Sequence, residues 1–321
     1  MERKTWIDLL RGICMMAILL DHTEIYYTGT NLIPYEFYVV NALTLFFFLS
    51  GYLFHRPDGF ALRHKLLSIL RGIFMPYFIF TTVIALPKAL AHGQDLDLGT
   101  LAAGILTGQA SWFVAALGVA ELLFAAFLHL THGRQLPLLL LSAGAFLVSA
   151  LLPSGLQPWY WQADNALQAM LFLCAGYLYH RHETVFERID SFPWTVLLAI
   201  TLILLKFYEW DGHLTLMLWP IRVTSYPVFL ADFALSAMLL PAICKRCPPC
   251  RMIQWTGAHS IVYYFFCGAA PLLVARLMNL SGFPYTGQYV SVIIAFAMVY
   301  ALTTAATWLI YRYIPAVTGR K

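Results

Sequence analysis

Arg11 and His22 lie eleven residues apart inside one apolar run of this chain, and the pair could hold an anion and move a proton. Eleven steps of ~100° make about three turns plus ~20°, so on a helix both side chains point the same way, roughly 16 Å apart along the axis. Imidazole, with an ordinary pKa of about 6.5, suits general-base work at neutral pH. Guanidinium keeps its charge and grips phosphate or carboxylate. Asp21 or Glu24 is placed to orient the ring, although Asp21 sits ~100° round the helix and could instead meet a neighbouring span. Asp8, three residues before Arg11, is the simplest partner to keep that Arg charged and aimed. An Arg inside a bilayer costs roughly 3 kcal/mol even on the lenient insertion scale, so the pair predicts a polar interior with one group near each end.

The elements that must position these groups are membrane helices. Of 321 residues, 60% are hydrophobic and 11% charged, against about 25% charged in soluble domains. Ten segments approach the ~20 residues that a spanning helix needs: 6–27, 36–54, 66–90, 110–128, 136–152, 165–180, 193–208, 224–243, 258–278 and 288–310. The pattern predicts an all-α membrane protein, a polytopic bundle of about ten transmembrane helices in one domain over 1–321. The first segment carries Arg, Asp and His and lacks a small-residue cleavage site, so it reads as a retained span. With the N-terminus cytoplasmic, the far side and its borders hold Lys88, Lys206, Arg222 and Arg276, leaving 20 − 4 = 16 basic residues on the near side. That bias places both termini in the cytoplasm. The net charge of +4 is spread over short loops, so no nucleic-acid partner is expected; the bilayer is the partner.

Other residues extend the candidate site. Residues 60–75 read as a basic amphipathic lead-in with Lys65, where positive-inside anchoring explains any single charge. Arg71 lies within the apolar run Leu66–Phe80 and needs an anion, which a phosphate-bearing ligand at the inner face would provide. Ser50 is either an oxyanion donor or half of a Ser-Gly packing notch. Trp112 reads as structural or interfacial. Glu121 and Asp232 are intramembrane carboxylates that require partners, and His259 reads as a helix border. Outer-loop aromatics, such as those near 158–162, fit an interfacial belt or a sugar-contacting rim. Cys244, Cys247 and Cys250 do not complete a zinc site, and no metal is expected. One echo, Gly51–Arg56 (GYLFHR) and Gly176–Arg181 (GYLYHR), reflects either a duplicated bundle or a shared Gly-Tyr packing notch; the neighbouring spans do not match, which favours the notch.

Taken together, Arg11 with His22, Phe46–Phe54 (FFFLSGYLF), Arg71 followed by Met75-Pro76-Tyr77, Ser111–Phe113 (SWF) and Gly257–Phe266 (GAHSIVYYFF) resemble the acyltransferase 3 family. The similarity runs in order over nearly the whole chain. Its members are multi-span bacterial membrane enzymes that O-acylate surface polysaccharides and lipids. The resemblance implies a ten-helix core, a cytoplasmic acyl-CoA donor (usually acetyl-CoA), His22 as the catalytic group, and Arg11 and Arg71 as essential basic residues. It also implies the bacterial cytoplasmic (inner) membrane and an acceptor that is a surface polysaccharide or lipid-linked glycan. Many members carry Gly-x-x-Ser-x-x-x-Tyr-x-x-His late in the chain; here Gly257, Ser260 and Tyr264 are followed by Cys267, which leaves His22 as the better histidine. No fused extracellular domain is expected to follow.

These readings combine into an expectation. Arg11, Arg71 and Lys65 hold donor phosphates, His22 with Asp21 serves as the base, and Ser50, Trp112 and Tyr264 contact substrate. A secondary transporter or flippase for a lipid-linked glycan is the alternative. Transporters concentrate carboxylates and broken helices in matching halves, whereas these charges gather in the first span and at the border of the third.

Overall fold

In the computed structural model each of the ten apolar segments falls on a helix or a broken helix. The structure describes residues 4–56, 59–91, 97–153, 155–189 and 191–319; Arg3, Arg320 and Lys321, and the side chain of Lys88, lie outside the described residues. The first helix, α1 (Thr5–Thr28), ends where Gly29 adopts φ 84° and returns its N–H to the Ile25 carbonyl. That left-handed stop is the conformation glycine adopts without strain. Next come α2 (Tyr35–Tyr52) and α3 (Leu62–Ile69). A π-helical turn over Leu70–Phe74 then carries the chain into α4 (Met75–Ala91). Pro76 has no N–H to offer the carbonyl four residues back, and the widened turn accommodates it while presenting Arg71.

The remaining helices are α5 (Leu98–Leu106), α6 (Trp112–Leu130), α7 (Gln135–Ala150), α8 (Ala163–Arg181), α9 (Glu183–Ile189) and α10 (Phe192–Asp211). After a small hairpin follow α11 (Tyr226–Arg246), α12 (Arg251–Ala258), α13 (Ser260–Phe266), α14 (Ala269–Leu280) and α15 (Tyr289–Tyr313). The hairpin is a six-residue exception in an otherwise helical protein, which matches the all-α expectation. Its strands β1 (Leu216–Leu218) and β2 (Ile221–Val223) pair antiparallel, Leu216 opposite Val223 and Leu218 opposite Ile221. Leu216 and Leu218 are buried on one face, as strand alternation requires.

By length and composition, five helices among the described residues can cross a bilayer, or six when α13 and α14, bent by 47°, count as one span. That is short of the expected ten, and the reason is physical. The helix α7 has only 16 residues, while the helices α1, α2 and α8 have 24, 18 and 19 residues but carry buried polar groups, including Asp21, Glu24, Asn41, Asp164 and Gln168. Such groups are tolerated at membrane depth only when protein surrounds them. These three are central helices: α1 packs against α2, α12, α14 and α15, and α2 packs against α8.

Close crossings hold the centre together. A methyl on Gly51 would run into the Leu173 carbonyl, and one on Gly176 into the Phe48 carbonyl. Both Phe48 and Leu173 stand three residues before their own helix's glycine, so the contact is reciprocal. The stacked Tyr52 and His180 rings (3.9 Å) and the edge-on His55 and Tyr177 rings (5.5 Å) repeat the same exchange. The GYLFHR/GYLYHR echo is therefore a shared packing notch. Without lipid-water contrast to drive helix association, such small-residue contacts do the packing.

Candidate active site

His22, Asp21, Trp112 and Tyr264 line one cavity of about 860 Å³ at the C-terminal half of α1. Along α1 the lining begins at Ile18 and runs past His22 to Tyr26, the i, i+4, i+8 spacing of one helical face. Other parts of the lining come from the start of α6 and from α13 and α14, which pack against α1. The bend between the last two places Tyr264, Cys267 and Arg276 around the same space. The size is ordinary for a small-molecule site.

His22 Nδ1 stands 3.7 Å from Asp21 Oδ2, with the imidazole one-third exposed and the carboxylate nearly buried. Asn31, in the loop after α1, donates to the other oxygen of Asp21. The carboxylate thus faces both the ring and the loop. Glu24, the other candidate to orient the ring, is engaged elsewhere. It accepts from the Leu32 and Ile33 amides at 2.8 and 3.1 Å and from the Tyr289 hydroxyl at 2.6 Å. It ties the loop and α15 to α1.

Aromatic rings shape another part of the lining. Trp112 lies nearly parallel to Trp219 of the hairpin turn, centroids 6.1 Å apart. The Tyr264 hydroxyl accepts from the Phe113 amide at 3.3 Å. Gln109 is braced by Gln162, whose side-chain amide donates to it at 2.8 Å. That brace is built on two consecutive non-glycine residues with positive φ, Trp161 (57°) and Gln162 (55°). Residues held in this region store strain of order 1–3 kcal/mol each and cluster at functional sites.

The other sequence candidates lie apart from this cavity. Arg11 is half-buried on α1 but does not line it; the cavity stops at Ile18, roughly 10 Å short of Arg11 along the axis. Arg71 is exposed on its π-helical turn. Lys65 pairs with Glu121 at 2.8 Å and sits over the Phe54 ring, and Ser50 donates to the second Glu121 oxygen at 2.5 Å. Glu121 has found its partners in that closed group. Asp232 has found its own in Lys206 (2.9 Å) and Asn41 (2.8 Å). His259 borders α12 and α13, with Nδ1 2.7 Å from the Trp255 carbonyl. Among the described residues, no three His, Cys, Asp or Glu side chains gather to hold a metal ion.

Sequence reasoning missed Asn31, Gln109, Trp219 and Arg276 as cavity residues. Gln109 stands two residues before the SWF motif, and the outer-loop aromatics pointed toward a rim; Arg276 gave no signal beyond being one of four basic residues on its side.

A family model described as an acyltransferase domain, Acyl_transf_3, matches residues 4–312. No curated protein and no solved structure matches the chain.

Proposed function

The chain belongs to this acyltransferase family over nearly its whole length, and from that premise we propose that it is a membrane O-acyltransferase, most simply an O-acetyltransferase, drawing acetyl-CoA from the cytoplasm. The acceptor is a hydroxyl of a cell-surface polysaccharide or lipid-linked glycan. The observation that carries this reading is the cavity that His22 and Asp21 share with Trp112 and Tyr264. Apolar helices and the family match make the chain a membrane protein. In our reading it crosses the bacterial inner membrane ten times, with both termini in the cytoplasm and the cavity toward the outside.

In this scheme Nδ1 of His22 carries its proton toward Asp21, which leaves Nε2 as the base. Nε2 takes the proton from the acceptor hydroxyl as its oxygen attacks the thioester carbonyl. The carbon–sulfur bond then breaks, and the departing thiolate receives that proton from His22. A positioned base of this kind contributes about 10²–10⁴-fold. Trp112 and Trp219 offer ring faces to a sugar, and the Tyr264 hydroxyl is within the same cavity to donate to the developing oxyanion. Ser50 stays in the proposal as a support, since its hydroxyl is spent on Glu121.

Arg11 and Arg71, with Lys65 beside them, are the proposed phosphate-holding residues of the donor end. The roughly 16 Å from Arg11 to His22 along α1 matches the reach of an extended pantetheine arm. Arg71, exposed, is the better available of these groups, because Lys65 already serves Glu121. The family match does not support the transporter reading.

The experiment uses the purified protein in vesicles with labelled acetyl-CoA. The wild type transfers or hydrolyses the acetyl group, and His22→Ala stops turnover while folding and CoA binding persist. Full turnover by that variant would remove His22 as the base.

A further inference from the structure

The helix α10 buries only two of its 20 residues, and both are charged: Lys206 and Glu209. They meet Asp232 and Ser236 of α11 and Asn41 of α2, and none of these five residues is more than 7% exposed. The Lys206 ammonium spends its three hydrogens on the Glu36 carbonyl (2.6 Å), Glu209 Oε2 (3.0 Å) and Asp232 Oδ2 (2.9 Å). The Asn41 amide spends its two on Asp232 Oδ2 (2.8 Å) and Ser236 Oγ (2.7 Å). Three oxygens of the group are then buried without a hydrogen-bond partner: Asn41 Oδ1, Glu209 Oε1 and Asp232 Oδ1. Seven side-chain atoms are orphaned in this way among the described residues, so the deficit is concentrated here. None of the five residues lines the His22 cavity.

All three orphans accept hydrogen bonds and cannot donate them. Two carboxylates against one ammonium leave the group with one excess negative charge. Glu36, half-buried nearby, is negative too and offsets none of it. Buried charge of this kind is costly unless it is matched. The missing partner is therefore positive and takes oxygen lone pairs. A proton would pair at most two of the three oxygens, the one that carries it and the one it reaches. A divalent ion would turn the deficit of one charge into an excess of one, and Ca²⁺ takes about six to eight oxygens. Carboxylate and carbonyl oxygens suit a hard cation. We propose that Glu209 Oε1, Asp232 Oδ1 and Asn41 Oδ1 bind one monovalent metal cation, Na⁺ or K⁺. The ion ties α10, which buries no apolar residue, to α2 and α11.

The test is equilibrium dialysis of the full chain in phosphatidylcholine nanodiscs against labelled Na⁺ and, separately, labelled Rb⁺ in place of K⁺. Choline chloride holds the ionic strength constant, and no acetyl-CoA is present. The expected result is saturable binding of one ion per chain that Ca²⁺ at the same concentration does not displace. Glu209→Gln and Asp232→Asn each remove the excess charge and nearly keep the shape, so each should weaken binding by about tenfold or more. Where a variant fails to fold, wild type alone still decides, because its thermal midpoint should rise with the bound ion and not with choline. Absence of saturable binding for both ions would overturn the proposal. Undiminished binding in both charge variants would place the ion elsewhere, and displacement by Ca²⁺ would overturn the charge count. With neither donor nor acceptor present, each result stands apart from the acyltransfer reading.

Discussion

The two ends of α1 carry comparable polarity put to different uses. Around its N-terminus, Lys4 donates to Tyr52 at 2.6 Å and pairs with Glu183 at 2.5 Å. Lys245 reaches the second Glu183 oxygen at 3.5 Å and the Tyr179 hydroxyl at 3.1 Å. These groups satisfy one another and join α1, α2, α8, α9 and α11. Around the C-terminal half, Asp21, His22, Gln109, Ser111 and Arg276 line a cavity, and partners such as Asn31 for Asp21 and Gln162 for Gln109 hold polar groups at its edge. The lesson concerns polarity at membrane depth: a polar group enclosed by partners is architecture, and one bordering a cavity is available for chemistry.

The sharpest way to break that comparison is His22→Ala. Removing the base should lower acetyl turnover by about 10²–10⁴-fold, read from labelled acetyl-CoA, with the melting profile of the protein unchanged. A comparable loss from Glu183→Gln would erase the distinction between the two ends. The next largest effect is on the fold. Gly176→Leu drives a side chain into the Phe48 carbonyl at the α2–α8 crossing and should destabilise by about 1–3 kcal/mol, the usual range for overpacking. Thermal unfolding in detergent checks it, and an unchanged midpoint would mean that the crossing is not close.

Smaller effects sharpen the division inside the cavity itself. Arg71→Ala should raise the KM for acetyl-CoA about tenfold, the value of one charge-assisted contact, with little change in kcat. An unaltered KM would take Arg71 out of the donor site. Trp112→Ala should weaken the acceptor instead, by a few-fold to tenfold in its KM, and leave the KM for donor where it was. If donor and acceptor constants moved together, the indole would be holding the cavity's shape and not a sugar.

How much of this was legible in the sequence follows the same division. Helix positions were, because each apolar segment declares its length. The convergence of His22, Trp112 and Tyr264 was legible only through motif order, since spacing along the chain does not reveal which helices face one another. Ser50 and Lys65 looked available and are engaged by Glu121; a carboxylate 56 residues after Lys65 gives no local sign of that pairing. The count by length and composition falls below ten for a related reason. Hydropathy measures how a helix would meet lipid, and α1, α2 and α8 meet protein. Arg276 and Gln109 were invisible because a bent helix pair and a strained loop bring them to the cavity.

The smallest effect tests the closed end of α1. Burial alone would raise the Glu183 pKa, but hydrogen bonds from Lys4 and Tyr52 and the charges of Lys4 and Lys245 hold it below the ordinary carboxylate value. A folded-state pKa below the unfolded one stabilises the fold above the unfolded value of about 4.3, and that contribution fades as pH falls through the folded value. Wild type should therefore be modestly more stable than Glu183→Gln at pH 7, with the difference shrinking on acidification below about pH 4. Lys4 is one-third exposed, so solvent screening keeps the effect small and salt should reduce it further. Paired melts of the two proteins from pH 7 to pH 3 decide it. A difference that stays constant across that range would mean that Glu183 acts through shape and hydrogen bonding and not through its charge, and the electrostatic account of this end of α1 would fall.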